Sequence, residues 1–373
     1  MKKIGFVFTY KSGATLNRIV SMINVLNNYE IHLVGPINNL DNYSNLEKQK
    51  NIFFHEISLS SIKKSNLFLR YIKEWIYSFK CSKKINSLNC DVEIISVPFI
   101  SLIITSKLFK NNSKKILDIR DLVWEYYDEN QFTNKVIFII LKKVHLFFLK
   151  EYTNITLSNF FELEKLNLDL PYNNKLVISN GISQNKFNQV QKNKEISKVS
   201  NKIIITYIGN VGIAQNLWSF IDVVKDFKIF EFHIVGGGND FTSISKKIHK
   251  NKIKNVKLIG RVFERDVVDY YTKSHFLYAK LESKYTTAIP SKLYEYLSTG
   301  KPIIYSGSGA SVEFLKEFDN IFVIKDNKKD IYNFLNICHK INFIKKSKKN
   351  IYLIKKNFIR EKISLKLLDI IEN

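Results

Sequence analysis

Short apolar strands alternate with helical repeats from one end of this chain to the other, which leaves few architectures open. Ile4 to Phe8 reads as a buried strand, and Leu16, Ile19, Val20, Ile23 and Leu26 then share one helical face. Further strands are expected at Ile31–Val34, Ile52–Phe54, Val92–Val97, Lys115–Leu117, Asn154–Leu157 and Lys175–Ile178. Strands separated by helices need right-handed crossovers, so they pair in parallel and are covered on both faces. After the polar stretch 183–201 the alternation restarts, with strands at Lys202–Ile208, Glu231–Val235, Val256–Ile259, Phe276–Leu281, Pro302–Tyr305 and Ile321–Ile324. The expected organisation is therefore α/β: two Rossmann-like, doubly wound domains at 1–182 and 202–345, with a linker at 183–201 between them. One long C-terminal helix, Ile351 to Ile371 within 346–373, is expected to cross back to the first domain. Ligands of such sheets bind outside the carboxyl ends of the strands, so the two domains would face across a shared cleft.

Composition narrows the class. The 373 residues suffice for two domains of ~100 to 200 residues each, and a hydrophobic share of 45% excludes wholesale disorder. Cys81, Cys90 and Cys338 show neither CxxC nor zinc spacing, which argues for a reducing, cytoplasmic setting and against a structural metal. The longest apolar run, Val136 to Leu141, is far short of the ~18 residues of a membrane span. Lys and Arg total 58 against 34 Asp and Glu, a formal charge of +24, yet no zinc-finger, RNP or helix-turn-helix pattern accompanies it, and nucleic acid is not expected as a partner. Two aromatic, basic segments, Phe68–Lys84 and Val136–Lys150, make an anionic membrane surface a candidate partner; a buried helix with lysines at its edge reads the same way.

Four patterns in the second half cluster at strand ends. Tyr207-Ile208-Gly209-Asn210-Val211-Gly212 and Val235-Gly236-Gly237-Gly238-Asn239 put glycines directly after buried strands, where the backbone can approach a phosphate; a tight strand-to-helix turn needs the same residues. Asn255 to Val262 ends a strand at Gly260 beside Arg261. The fourth, Ala288 to Leu297 followed by Gly300-Lys301-Pro302, carries a helix-start signal at Pro290-Ser291, with Ser291 the expected cap. Lys292 then falls in the first turn, suited to an anion, and Glu295 one turn on offers acceptors for two adjacent hydroxyls. An exposed Lys and Glu on an ordinary first turn would look the same.

The order and spacing of these four patterns resemble the C-terminal domain of GT-B glycosyltransferases of the GT4 family. Ser158, the segment Val177-Ile178-Ser179-Asn180-Gly181-Ile182 and Phe187 resemble that family's serine-bearing turn and its NG(V/I)…F segment. Asp118-Ile119-Arg120-Asp121-Leu122-Val123-Trp124-Glu125 is similar to a stretch of the bacterial subgroup that includes O-antigen and capsule transferases. The resemblance implies that Glu295 grips the ribose hydroxyls, that Arg261 and Val262 meet the base, and that Gly236 to Gly238 line the nucleotide pocket. It sets Gly209, Asn210, Gly212 and Gln215 by the diphosphate, with Ser291, Lys292 and Leu293 close by. It also implies that Ser12-Gly13-Ala14 reaches the diphosphate from the other domain, and that Asp121 lies near the reacting sugar; an N-cap or an ion pair with Arg120 would equally explain Asp121.

The chain also departs from that pattern. The family's first glutamate of a pair is Thr287 here, leaving Thr286, Thr287 and Ala288 as the expected sugar-contact loop. The arginine and lysine that follow the first glycine align with Asn210 and Gln215. Lys292, and next Arg261, is then expected to stabilise the leaving diphosphate, making Lys292 and Asp121 the candidate catalytic residues. No Asp-x-Asp triplet occurs, so neither metal nor cofactor is expected. The expectation is a cytoplasmic enzyme, peripheral at the inner face of the plasma membrane. It would be a retaining transferase moving a hexose or amino sugar from a nucleotide sugar, UDP-linked for preference, to a saccharide acceptor such as a polyprenyl-diphosphate-linked glycan. A nucleotide-sugar 2-epimerase and a non-catalytic partner subunit are the alternatives.

Overall fold

The computed structural model describes residues 1–9, 13–36, 50–58, 67–97, 100–109, 112–126, 132–171, 174–192, 202–338 and 345–372. The chain divides into two compact units, Met1–Asn180 with Arg360–Asn373, and Gly181–Ile359. In the first, β1 (Lys3–Val7), α1 (Gly13–Ile23), β2 (Glu30–Gly35), β3 (Ile52–Glu56), α2 (Leu67–Ser87), β4 (Val92–Val97), α3 (Ile100–Leu108), β5 (Lys114–Ile119), α4 (Phe132–Leu149), β6 (Asn154–Leu157), α5 (Phe160–Asp169) and β7 (Asn174–Val177) follow one another. The seven strands are all parallel, in the order β3-β2-β1-β4-β5-β6-β7. Every residue of β4 and β6 is buried, as expected for strands covered on both faces. The order reverses between β1 and β4, so the carboxyl ends of β1, β4 and β5 lie together at a switch point.

A buried ion pair fixes that region from below. The Arg18 guanidinium, on α1, donates to Asp118 on β5 at 2.6 Å, and both side chains are essentially inaccessible. Ser96 and Thr156 donate to the same carboxylate from the flanking strands, and Arg18 also donates to the Ile178 carbonyl. Burial alone would raise the Asp118 pKa, but the charge and hydrogen bonds of Arg18, with Thr156, hold it below the ordinary carboxylate range.

The second unit runs α6 (Gln184–Lys192), β8 (Ile203–Ile208), α7 (Trp218–Val224), β9 (Phe230–Val235), α8 (Phe241–Lys250), β10 (Val256–Gly260), α9 (Val267–Lys273), β11 (Phe276–Lys280), α10 (Lys292–Ser298), β12 (Ile303–Ser306), α11 (Ala310–Leu315), β13 (Ile321–Ile324), α12 (Lys328–Cys338) and α13 (Lys348–Asn357). Its six parallel strands are ordered β10-β9-β8-β11-β12-β13. The core is aromatic: Phe220 stacks on Tyr278 at 4.2 Å and meets Phe232 edge-on at 5.0 Å.

Two sequence expectations need correction. Residues 184–192 of the expected linker are helical, because Phe187 and Val190 bury one face and the Lys186 ammonium donates to the Glu264 carbonyl; 193–201 lie outside the described residues. The expected single C-terminal helix is three: α13, then α14 (Arg360–Ser364) and α15 (Lys366–Glu372) in the first unit. The break falls at Phe358-Ile359, where the Phe358 carbonyl accepts from Ile182 N–H and the Phe358 ring packs on Tyr294 and Phe314. Strand pairing and aromatic packing there outweigh two further helical hydrogen bonds.

Candidate functional site

At the carboxyl ends of β8, β9 and β10 three glycine-bearing turns interlock. Gly209 N–H donates to the Val235 carbonyl (2.9 Å), Val211 to Gly237 (3.0 Å), Gly236 to Gly260 (2.6 Å) and Asp240 to Val211 (3.0 Å). Gly209 and Gly236 have φ of +139° and +137°, and a Cβ on Gly236 would stand 1.9 Å from the Gly209 oxygen. One on Gly238 would lie 2.3 Å from the Val211 oxygen. These glycines are thus required by the approach of one turn to the next, and they leave a cradle with no side chain of its own.

Lys292 reaches into that cradle from α10. A Cβ on Gly209 would be 2.8 Å from Lys292 Nζ, and Nζ lies 3.7 Å from the centre of the Tyr207 ring. The lysine stem is partly exposed, but Nζ is buried and has no hydrogen-bond partner; no other lysine ammonium among the described residues is in that state. Burial pulls its pKa down to about 7, with the Glu295 carboxylate opposing. Buried polar groups are ordinarily satisfied, and a buried ammonium especially, so an orphan ammonium over a bare glycine turn marks room for an anion.

The other sequence-predicted residues fall around it. Asn210 Nδ2 donates to Gln215 Oε1 at 3.3 Å, folding two neutral amides over Gly212 where the resemblance has two cations. Arg261 is exposed, and its stem lies against Gly237, whose Cβ would be 3.1 Å from Arg261 Cγ. Val262 is half-buried, and Phe263 beside it is 71% exposed, an aromatic face that sequence reasoning passed over. Glu295 Oε2 accepts from the Tyr271 hydroxyl at 2.7 Å; burial, then Glu295 itself, keep that phenol protonated far above its ordinary range. Tyr296 ties α10 to β8, its hydroxyl accepting from Ile208 N–H at 2.7 Å.

Ser291 occupies the cap position of α10 but makes no capping hydrogen bond with its side chain, contrary to expectation; its φ and ψ are already helical. Leu293 is fully buried, and its N–H is taken by the Pro290 carbonyl, so it serves packing. Thr287 is buried too, in a loop whose Thr286 carbonyl accepts from Ala310 N–H at 2.7 Å.

The first unit carries the remaining two. Gly13 opens α1, and Ser12 lies outside the described residues. Asp121 follows β5, half-buried, and its charge acts on Glu162 at the start of α5. Glu162 is fully buried: Oε2 accepts from Ser158 N–H (3.0 Å) and Oγ (2.8 Å), while Oε1 has no partner. Burial, then Asp121, push its pKa well above the ordinary value. Glu162 was missed, although Asn159-x-x-Glu162 has capping-box spacing and Asn159 Oδ1 does accept from Glu162 N–H. Among the described residues no group of three or more His, Cys, Asp or Glu could hold a metal ion.

Residues 188–362 match the family described as Glycosyl transferases group 1. No curated protein matches the chain. Among solved structures, sucrose-phosphate synthase from Thermosynechococcus elongatus superposes with a TM-score of 0.75 at 11% identity, covering 99% of this chain and 98% of that one. Anabaena HepE in complex with UDP and glucose gives 0.70 at 13%, with both chains fully covered. A glycosyltransferase from Rickettsia africae gives 0.68 at 15%, covering 100% and 98%. Two all-parallel doubly wound units and these likenesses make the fold GT-B, and with a glycosyltransferase group 1 domain over 188–362 they support a GT-B glycosyltransferase.

Proposed function

We propose that the chain is a retaining glycosyltransferase of the GT4 type that moves a hexose or amino sugar from a UDP-sugar to a saccharide acceptor. The acceptor class is a polyprenyl-diphosphate-linked glycan of surface polysaccharide synthesis, used at the cytoplasmic side. The observation that carries the reading is the buried Lys292 ammonium, without a hydrogen-bond partner over Gly209, which suits a nucleoside diphosphate. That neighbouring folds were captured with UDP and with UDP-glucose supports the donor class.

In the reaction the acceptor hydroxyl oxygen bonds to the anomeric carbon on the face from which the diphosphate departs. The C–O bond to the diphosphate breaks, and a phosphate oxygen takes the acceptor's proton. Protonated Lys292 and the N–H groups of the glycine turns stabilise the charge gathering on the leaving group, worth ~3 to 4 kcal/mol for one good donor. Glu295, steadied by Tyr271, accepts from the ribose hydroxyls, and Arg261 and Val262 border the base. Asp121, on the first unit, orients the acceptor. No resident metal enters these steps.

The test is a panel of nucleotide sugars with a lipid-linked acceptor, product configuration being read by NMR. An α-linked product from an α-linked UDP-sugar, unaffected by chelator and lost in Lys292→Ala with the fold intact, is expected. An inverted product, or near-normal turnover in Lys292→Ala, overturns the reading. Epimerised donor without acceptor would assign the 2-epimerase reaction instead, and UDP binding without turnover of any donor would assign a partner subunit, which the neutral Asn210, Gln215 and Thr287 favour.

A further inference from the structure

Helix α2 is apolar on two faces. Its inward face buries Tyr77, Cys81 and Ile85 in the core beside Ser78 and Ser82, which pair with Ser101 and Thr105 of α3 at 2.8 Å each, and one turn before Ser78 it buries Glu74. Its outward face carries Leu69, Ile72, Trp75, Ile76 and Phe79, each 39 to 51% exposed. These positions follow a three-and-four spacing, so they form one stripe along the helix. Trp75, Ile76, Phe79 and Lys80 join Thr105 and Leu108 of α3 around an open apolar hollow. Helix α4 packs on α3 and repeats the pattern, with Val136, Ile140, Val144 and Phe147 at 37 to 67% exposure. Half of the exposed large apolar side chains among the described residues lie on these three helices, whereas those of the second unit are scattered singly. A helix that only packs on a core shows a polar outer face to water; a second, exposed apolar stripe continuous over neighbouring helices is the arrangement of a surface that something apolar covers.

Charge selects the occupant. Lys73, Lys80, Lys83 and Lys84 accompany the α2 stripe, whose only acid is the inward Glu74, and α4 contains Lys135, Lys142 and Lys143 and no acid at all. Two copies of the α2 side of this face would bring lysine against lysine, and on α4 Lys142 is already paired with Asp169 at 3.0 Å. An anionic bilayer meets both demands, taking the aromatic and aliphatic side chains into its acyl boundary and the lysines at its headgroups. We infer that the α2–α3–α4 face of the first unit is a docking surface for an anionic lipid bilayer. The inference is independent of the proposed reaction, since bilayer binding is read without donor or acceptor.

The full chain is expected to co-sediment with vesicles of 30% phosphatidylglycerol in phosphatidylcholine, weakly with phosphatidylcholine alone, and Trp75 fluorescence should be quenched by brominated acyl chains. Trp75→Gln with Ile76→Gln and Phe79→Gln should weaken binding at least tenfold with circular dichroism and Tm unchanged, because these side chains already face solvent. Lys80→Gln with Lys83→Gln should weaken it about 30-fold, at about 1 kcal/mol per lysine near an anionic surface. Equal affinity for both vesicle types, or full binding by the triple variant, overturns the inference. So does a wild-type dimer in sedimentation velocity that the triple variant dissolves while neither binds vesicles, since the face would then be covered by a second copy.

Discussion

Binding of UDP is expected to drive a proton onto Lys292, and the structure sets the size of the effect. With a pKa of about 7 in the free chain, the amine is protonated in about one molecule in ten at pH 8. A diphosphate beside Nζ replaces the lost solvation, returning the group toward ~10.4, so about 0.9 proton is taken up per UDP at that pH. The terminal phosphate, with a second pKa of about 6, is already ionised there and contributes nothing. Calorimetry in two buffers of different ionisation enthalpy measures the uptake directly, and the UDP Kd should rise about tenfold between pH 8 and pH 9. Lys292→Met should abolish both effects. The same shift has a consequence for stability with a definite sign. Below pH 7 the group is charged in both folded and unfolded chains, and its burial costs on the order of 5 kcal/mol. Between about 7 and 10.5 the unfolded chain binds the extra proton, so stability rises with pH. Without UDP, Lys292→Met should therefore exceed the wild type in Tm at pH 6.5 and lose that advantage toward pH 10. A Kd flat from pH 7.5 to 9 with no proton uptake in the wild type would refute the reasoning.

Other perturbations follow from single contacts. Gly236→Ala sets a Cβ 1.9 Å from the Gly209 oxygen at a φ of +137°, and should cost about 2 kcal/mol or more, read as a lower Tm together with loss of UDP binding. Asp118→Asn leaves Arg18 buried without its counter-charge and should cost about 3 to 5 kcal/mol, roughly 10 °C in Tm. In the wild type the Asp118 contribution is complete above the unfolded carboxyl pKa of ~3.9 and is lost as pH falls below it through the depressed folded value, so the wild type's advantage in Tm over Asp118→Asn should be level near pH 5 and shrink toward pH 2, which thermal scans across that range measure. Tyr271→Phe removes the hydroxyl that steadies Glu295 and should raise the donor KM several-fold with kcat little changed, an effect smaller for a 2′-deoxyribose donor. Glu162→Gln should keep the fold at pH 7. It should also remove a loss of stability that the wild type shows as pH rises from ~4.3 toward the raised folded pKa, over which the folded chain binds the extra proton.

The strands were legible because parallel strands covered on both faces are continuous apolar runs: Val92–Val97 matches its expectation residue for residue. Helix α6 was not, since only Phe187 and Val190 interrupt a polar segment and a neighbouring carbonyl, Glu264, fixes Lys186. The C-terminal break carries neither Gly nor Pro, and its cause, Ile182 pairing at Phe358-Ile359, lies over 170 residues away in sequence. At the site the turn glycines and Lys292 could be read from local spacing, because a strand-to-helix turn is a local structure. That Lys292 is stacked on Tyr207, that Tyr271 holds Glu295 and that Glu162 senses Asp121 could not, since each joins residues on different elements.

The neutral amides at Asn210 and Gln215 give the site its particular chemistry on this reading. A permanent cation there would bind the diphosphate at any pH and hold the product as firmly as the donor. With Lys292 as the ammonium over the glycine turn, donor and product UDP are both held by a proton that the free chain gives up above about 7. Donor capture, measured by kcat/KM, should then fall as pH rises above that value, whereas the UDP complex keeps its proton up to ~10.4, so the rate of UDP release should stay level over the same range. Where release limits turnover, kcat stays level with pH while kcat/KM declines, a divergence that a permanently charged Arg at the same position would not produce.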